Sequence, residues 1–312
     1  MTTPTLTHRA WAELLLLALV WGGSFLAIRT ALDEVGFVTS VAWRVGLAAA
    51  VLWAVVLLRR LPLPTDARTW GALAVMGLLN NVLPFSLMAW GQLSIETGLT
   101  SILNAATAVF GVLAAALLLP DERLTAPRAV GVAVGFLGVA MAIGLDNLAN
   151  LDLRSVAQLA VVAGTVSYAL AGVWARLRLR HVAPTVTAAG MLTASTIVML
   201  PAAFLFETPA WPREPDTWAG ILYYAVVATA FAYLLYFRVL AVAGSGNLLL
   251  CTLFIAPVAI VLGALVRDEA RAPRAFAGFA LLALGLAILD GRLWRWAKAR
   301  LTPRGRDTTR PG

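Results

Sequence analysis

The chain has 312 residues, of which 61% are hydrophobic and 13% charged, and its mean hydropathy is +0.84. That balance excludes ordinary soluble domains and describes an integral membrane protein. The net charge of +8 invites a nucleic-acid reading, but the cations cluster in the connections between apolar runs, so no nucleic-acid partner is expected.

A bilayer core takes roughly 20 apolar residues per helix. Ten stretches qualify: 10–31, 36–58, 69–91, 97–119, 127–145, 155–176, 182–206, 217–238, 244–266 and 273–291. The first ends in Arg29, Asp33 and Glu34 without a small-residue cleavage pattern and another apolar run follows it, so it reads as a retained helix. With the amino terminus inside, the inner connections hold Arg9, Arg59, Arg60, Arg68, Arg123, Arg128, Arg176, Arg178, Arg180, Arg238 and the cations after Asp290. The outer ones hold only Arg154, Arg213, Arg267, Arg271 and Arg274. This bias predicts a cytoplasmic (inner) membrane protein with both termini in the cytoplasm. Residues 292–312 form a basic cytoplasmic tail whose "RLWRWAKAR" interleaves tryptophans with cations, as a helix on anionic headgroups does, so membrane lipids are expected partners.

Several residues stand out along the spans. The first carries Trp21 and Ser24 on one face, with Gly22 and Gly23 between them. Arg44 lies ~12 Å of helix inside the second, where a cation needs a partner. Two readings stand: an ion pair with Asp33, Glu34 or Glu96, or capture of a substrate carboxylate. The third span holds Asn80, Asn81 and Pro84, and a proline there frees the carbonyl four residues back, at Asn80. These amides either bond neighbouring helices or line a cavity. Asn104 and Thr107 on the fourth span, Tyr168 on the sixth, Thr229, Tyr233 and Tyr236 on the eighth and Thr252 on the ninth complete the candidates. Tyr168 is expected to face Trp21. Aromatic walls with a few polar handles suit a medium-sized, partly apolar solute. The stripe Gly131, Gly135, Gly138, with Gly278 and Gly285, reads as helix packing.

Unusual residues recur in order at an offset of about 147 residues, which marks a duplication. Trp21 and Arg29 match Tyr168 and Arg176; Thr69-Trp70 matches Thr217-Trp218; Asp121-Glu122 matches Asp268-Glu269; "APRA" at 126–129 returns at 272–275. The fold class is therefore all-α and polytopic: ten transmembrane helices as two five-helix repeats, 10–145 and 155–291. Because five is odd, the repeats have inverted topology. Such repeats place a substrate site between the halves and give two nearly equivalent shapes, open to either side.

"LVWGGSFLAIR", the arginine within "VAWRVGLAAAVLW" and "NAATAVFGVLAAALLLPDERLT" resemble the EamA unit of the drug/metabolite transporter superfamily. The second copy runs through "TVSYALAGVWARLRLR", "IAPVAIVLGALVRDEARAP" and "FAGFALLALGLAILDG". The resemblance covers roughly residues 10–291. It implies a ten-helix transporter, often an exporter of amino acids or related metabolites. The family's fourth helix carries a proline where this chain has Ala108, while Pro257 stands in the corresponding region of the ninth. Hinges are expected at Pro84 and Pro257.

The function expected is secondary transport of small metabolites, export of hydrophobic or aromatic amino acids or related compounds, by alternating access from a central cavity. A monomer or a homodimer is expected, with no cofactor and no metal. A flippase for lipids or lipid-linked carriers shares the inverted-repeat logic and stands as the alternative. An intramembrane enzyme lacks support: no H-E-x-x-H occurs, His8 and His181 lie at membrane edges, and "GSG" at 244–246 lacks a nucleophile-elbow context. Cys251 is the single cysteine, so neither an intrachain disulfide nor a thiolate cluster is available.

Overall fold

The structure, a computed structural model, describes residues 8–144, 153–209, 211–269 and 273–289, with the side chains of 240–250 and 253 left undescribed. The basic tail at 292–312, Arg271 and the side chains of the "GSG" at 244–246 lie outside the described set. Ten apolar spans build an all-helical bundle. Span 1 is α1 (His8–Ala31) and span 2 is α2 (Phe37–Leu58). Span 3 joins α3 (Ala67–Gly77), a π-helical segment π1 (Leu78–Val82) and α4 (Leu83–Gly91). Span 4 is α5 (Thr97–Asn104) with α6 (Thr107–Leu118), and span 5 is α7 (Ala126–Ile143). The second half repeats the plan: α8 (Leu153–Arg178), α9 (Pro184–Phe206), then α10 (Pro215–Leu222) leading through π2 (Tyr223–Phe231) into α11 (Ala232–Val266), and α12 (Pro273–Leu289). Eight spans are long and apolar enough to cross a membrane, and Phe254–Val266 and Pro273–Leu289 are shorter apolar helices.

α11 contributes two spans. Gly220 packs on the Ala27 carbonyl and Trp21 bonds Ala228, so span 8 runs antiparallel to α1. Cys251 lies beside Leu14, and Val258 beside Gly22, so span 9 runs parallel to it. The chain therefore turns back between Val239 and Cys251. Leucine, isoleucine and phenylalanine side chains such as Leu58, Leu117, Ile197 and Phe206 remain exposed on the outside of the bundle, as a lipid-facing surface requires.

Spans 5 and 10 meet backbone to backbone. A Cβ on Gly138 would sit 2.5 Å from the Leu282 nitrogen, and one on Gly278 2.5 Å from the Ala142 nitrogen. The glycine stripe is thus a packing seam. Gly22 and Gly23 serve the same end on α1: added Cβ atoms would lie 2.6 Å from Val258 Cβ and 2.6 Å from the Tyr223 hydroxyl.

Two departures concern proline. In span 3 the Leu83 N–H bonds the Leu78 carbonyl five residues back. In that register the donor missing at Pro84 leaves Leu79 unmet rather than Asn80. The Ser167 hydroxyl of α8 supplies the bond at 2.7 Å. In span 4 the chain breaks without any proline. Ala106 N–H turns to the Leu103 carbonyl (3.0 Å), and the Thr107 hydroxyl takes the Asn104 carbonyl (2.7 Å). Local hydroxyl and three-residue bonds replace the ladder there. Pro257, in contrast, lies within helical α11 with its ring exposed.

Candidate functional site

The two π segments occupy matching positions in the repeats, π1 at 78–82 and π2 at 223–231. Each widens its span by one carbonyl register and turns polar side chains toward a helix of the other half. π1 presents Asn80 and Asn81 to α9. Asn80 Nδ2 donates to the Tyr233 hydroxyl (3.0 Å), which donates to Asn81 Oδ1 (3.1 Å). Asn81 Nδ2 donates to Ser195 Oγ (3.1 Å), which reaches the Met191 carbonyl at 2.7 Å. π2 presents Thr229 and Tyr224 to α2. The Thr229 hydroxyl donates to the Tyr224 carbonyl five residues back (2.7 Å), and its oxygen accepts from Arg44 Nε at 3.0 Å. Ser40 Oγ and the Tyr224 hydroxyl lie 3.0 Å apart.

Arg44 is the charge at the centre. Its guanidinium lies 3.6 Å above the Phe85 ring, a cation–π contact, and Tyr168, Tyr233 and Tyr224 are all within its electrostatic reach. The ion pair with Asp33, Glu34 or Glu96 does not form. Asp33 pairs with Arg29 (2.9 Å) and Arg267 (2.6 Å), and Glu96 pairs with Arg154 (2.6 Å). Glu34 accepts the backbone N–H groups of Arg213 and Glu214. The acids are spent at the span ends, and among the described residues Arg44 makes no ion pair.

The structure brings Arg44, Asn80, Asn81, Tyr168, Thr229 and Tyr233 into one polar and aromatic cluster; Tyr168 packs edge-on against Phe85 with centroids 6.4 Å apart. Trp21 joins at its border. Its indole donates to the Ala228 carbonyl (3.1 Å), and its ring meets Tyr236 at 5.8 Å, so its aromatic partner is Tyr236 rather than Tyr168. Ser24 is buried and its hydroxyl is used within α1, on the Trp21 carbonyl (2.6 Å). Asn104 sits apart at the span 4 break, with Oδ1 buried and without a partner among the described residues. Ser40, Phe85, Ser195 and Tyr224 escaped sequence reasoning. They are common residue types in membrane helices, and the signal available was their position opposite Asn81 and Arg44.

Carboxylates do their work at the ends. Glu207 caps α2 by accepting from Val38 N–H (3.0 Å) and Thr39 N–H (2.9 Å), and Glu269 caps α5 through Thr97 and Gly98. Asp268 adopts a left-handed backbone (φ 50°), which turns Glu269 back toward that terminus. Glu122 is held below the usual carboxylate range by bonds from Arg128 and Arg176, Glu34 by backbone N–H groups led by that of Arg213, and Asp66 by the Thr69 N–H it caps. Glu13 sits between Arg9 (3.1 Å) and Arg238 (3.0 Å).

Two helical repeats with matching π segments and a polar cluster between them are the frame of a carrier, and the family model described as the EamA-like transporter family matches residues 10–144 and again 155–289. The chain belongs to the EamA-like transporter family. It is similar to the uncharacterized transporter YoaV of Bacillus subtilis (strain 168), 21% identical over 86% of this chain and 92% of that protein. An uncharacterized transporter of Archaeoglobus fulgidus is 25% identical over 74% of this chain and 80% of its own length. A solved crystal structure with 20% identity shares the fold, with a TM-score of 0.65 over 90% of this chain and 96% of that one. The protein is thus a multi-pass membrane protein of a small-molecule transporter family.

Proposed function

We propose that the protein exports amino acids, or related carboxylate-bearing metabolites with an apolar or aromatic side chain, by alternating access between its two repeats. One observation carries the reading: Arg44 is a cation deep in the bundle with no carboxylate partner among the described residues. A charge taken from water without a counter-ion is costly, and a substrate carboxylate supplies one in bidentate geometry. Asn80 and Tyr233, half-buried beside it, offer polar handles, and Phe85, Tyr168 and Trp21 offer aromatic walls. The protein is then a transporter and not an enzyme, needing no cofactor. The test is a panel of labelled solutes in reconstituted vesicles with Arg44→Met alongside. Amino acids should be carried by the native chain and not by the variant, whose thermal midpoint should be equal or higher because an uncompensated charge has been removed. Stabilisation by long-chain amphiphiles and not by amino acids would replace this reading with a flippase. Undiminished carriage by Arg44→Met would remove Arg44 from the site.

A further inference from the structure

Away from the central cluster, a cavity of about 550 Å³ opens between span 3 and span 6 at the end of the bundle that carries the cations. Its mouth holds Arg68 and Arg178, both exposed, with His181 Nε2 3.2 Å from the Thr69 hydroxyl. Arg178 stands 5.5 Å from the Trp174 ring centroid, and the Trp174 indole is fixed by donation to the Ala72 carbonyl at 2.9 Å. Asp66 also lines the mouth, but one of its oxygens is occupied by the Thr69 N–H (2.7 Å). Neither arginine has a carboxylate partner among the described residues. The apolar residues Val75 and Leu177 line the groove with them, and Gly71 leaves open space, with no atom within 4 Å of where its Cβ would stand. Beyond them along the same two helices, Leu78 and Leu170 are exposed, 41% and 37%.

We infer that this groove binds the headgroup phosphate of an anionic phospholipid, with an acyl chain laid toward Leu78 and Leu170. The recognition is cationic at the rim and apolar along the depth of the membrane, which matches a lipid and not a soluble anion. The site belongs to one leaflet. By the Thr69–Thr217 match Arg68 corresponds to Asp216, and by the Arg29–Arg176 match Arg178 corresponds to Ala31, so the opposite end has no basic copy. Because span 3 belongs to the first repeat and span 6 to the second, a lipid here holds the two halves together beside the Ser167–Leu79 bond. It stabilises the folded protein by mass action.

Thermal unfolding is measured in nanodiscs of phosphatidylcholine alone, with phosphatidylglycerol, and with inorganic phosphate instead. Phosphatidylglycerol should raise the midpoint of the native protein and of Arg180→Gln, an exposed arginine outside the groove, by a few degrees. The rise should shrink in Arg178→Gln and vanish in Arg68→Gln/Arg178→Gln. Inorganic phosphate should leave every midpoint in place. Native mass spectrometry should find a retained phosphatidylglycerol on the native chain and not on the double variant. An equal rise in the double variant, no rise in the native chain, or a rise with inorganic phosphate alone would overturn the assignment.

Discussion

A guanidinium stacked on an aromatic ring and held by a single hydroxyl is a cation without a carboxylate partner among the described residues. Arg44 and its copy make the point: the +147 match of Arg44 is Met191, which contacts Asn80 (3.8 Å) as Arg44 contacts Thr229. The frame is symmetric and the charge is not. The two asparagines divide the work. Asn81 is fully buried and locked between Tyr233 and Ser195, whereas Asn80 keeps part of its surface open. Asn81→Ala is expected to cost about 1–3 kcal/mol by stranding its partners. Asn80→Ala is expected to leave the thermal midpoint nearly in place while weakening transport. The reverse pattern in paired melting and flux assays would exchange the two roles. Arg44's depth was legible in the sequence, but its partner was not. Asp33, Glu34 and Glu96 are close along the chain, and only the folded arrangement of Arg267, Arg154 and the Arg213 N–H shows them already occupied.

The elements hold their irregularities where the chemistry is. Pro84 announced a disturbed ladder in span 3, yet not its register, because an α turn and a π turn differ by one carbonyl that residue types do not encode. The π turn passes the unmet carbonyl to Leu79 and the bond to Ser167 on the other repeat. Ser167→Ala should therefore cost about 1–3 kcal/mol. In a Pro84→Ala background the restored N–H can serve Leu79, so the same substitution should cost much less. Additive losses in this double-mutant cycle, read from unfolding midpoints, would show that Ser167 and Pro84 do not share that carbonyl. The span 4 break followed no proline at all, since Ala108 continues α6 and the interruption comes from Thr107 and three-residue turns. The seam of spans 5 and 10 is the opposite case. Its glycine spacing was readable in advance, and Gly138→Leu should destabilise by about 1–3 kcal/mol or more because its neighbours there are backbone atoms that cannot yield.

At the scale of the whole molecule, the duplication was legible because rare residues recurred in order, and the matching π segments extend it into backbone geometry. What duplication leaves open is the source of energy. A proton-coupled carrier places a titratable carboxylate or histidine inside the bundle, where substrate binding can shift its affinity for the proton. Among the described residues the acids stand at the span ends: Glu13 between Arg9 and Arg238, Glu96 against Arg154, Glu207 and Glu269 as helix caps. The central cluster is built from arginine, amides, hydroxyls and rings. With no carboxylate or histidine in the cluster among the described residues, and a half-buried cation that we propose a substrate carboxylate neutralises, exchange or movement down the solute's own gradient is the expected mode. In vesicles without a substrate gradient, an imposed pH gradient should drive no accumulation of a zwitterionic amino acid. Counterflow against unlabelled amino acid on the far side should accelerate uptake of label. Uphill accumulation that collapses with a protonophore and disappears in Glu13→Gln would reverse the conclusion and make Glu13, 16% exposed between two arginines, the coupling residue.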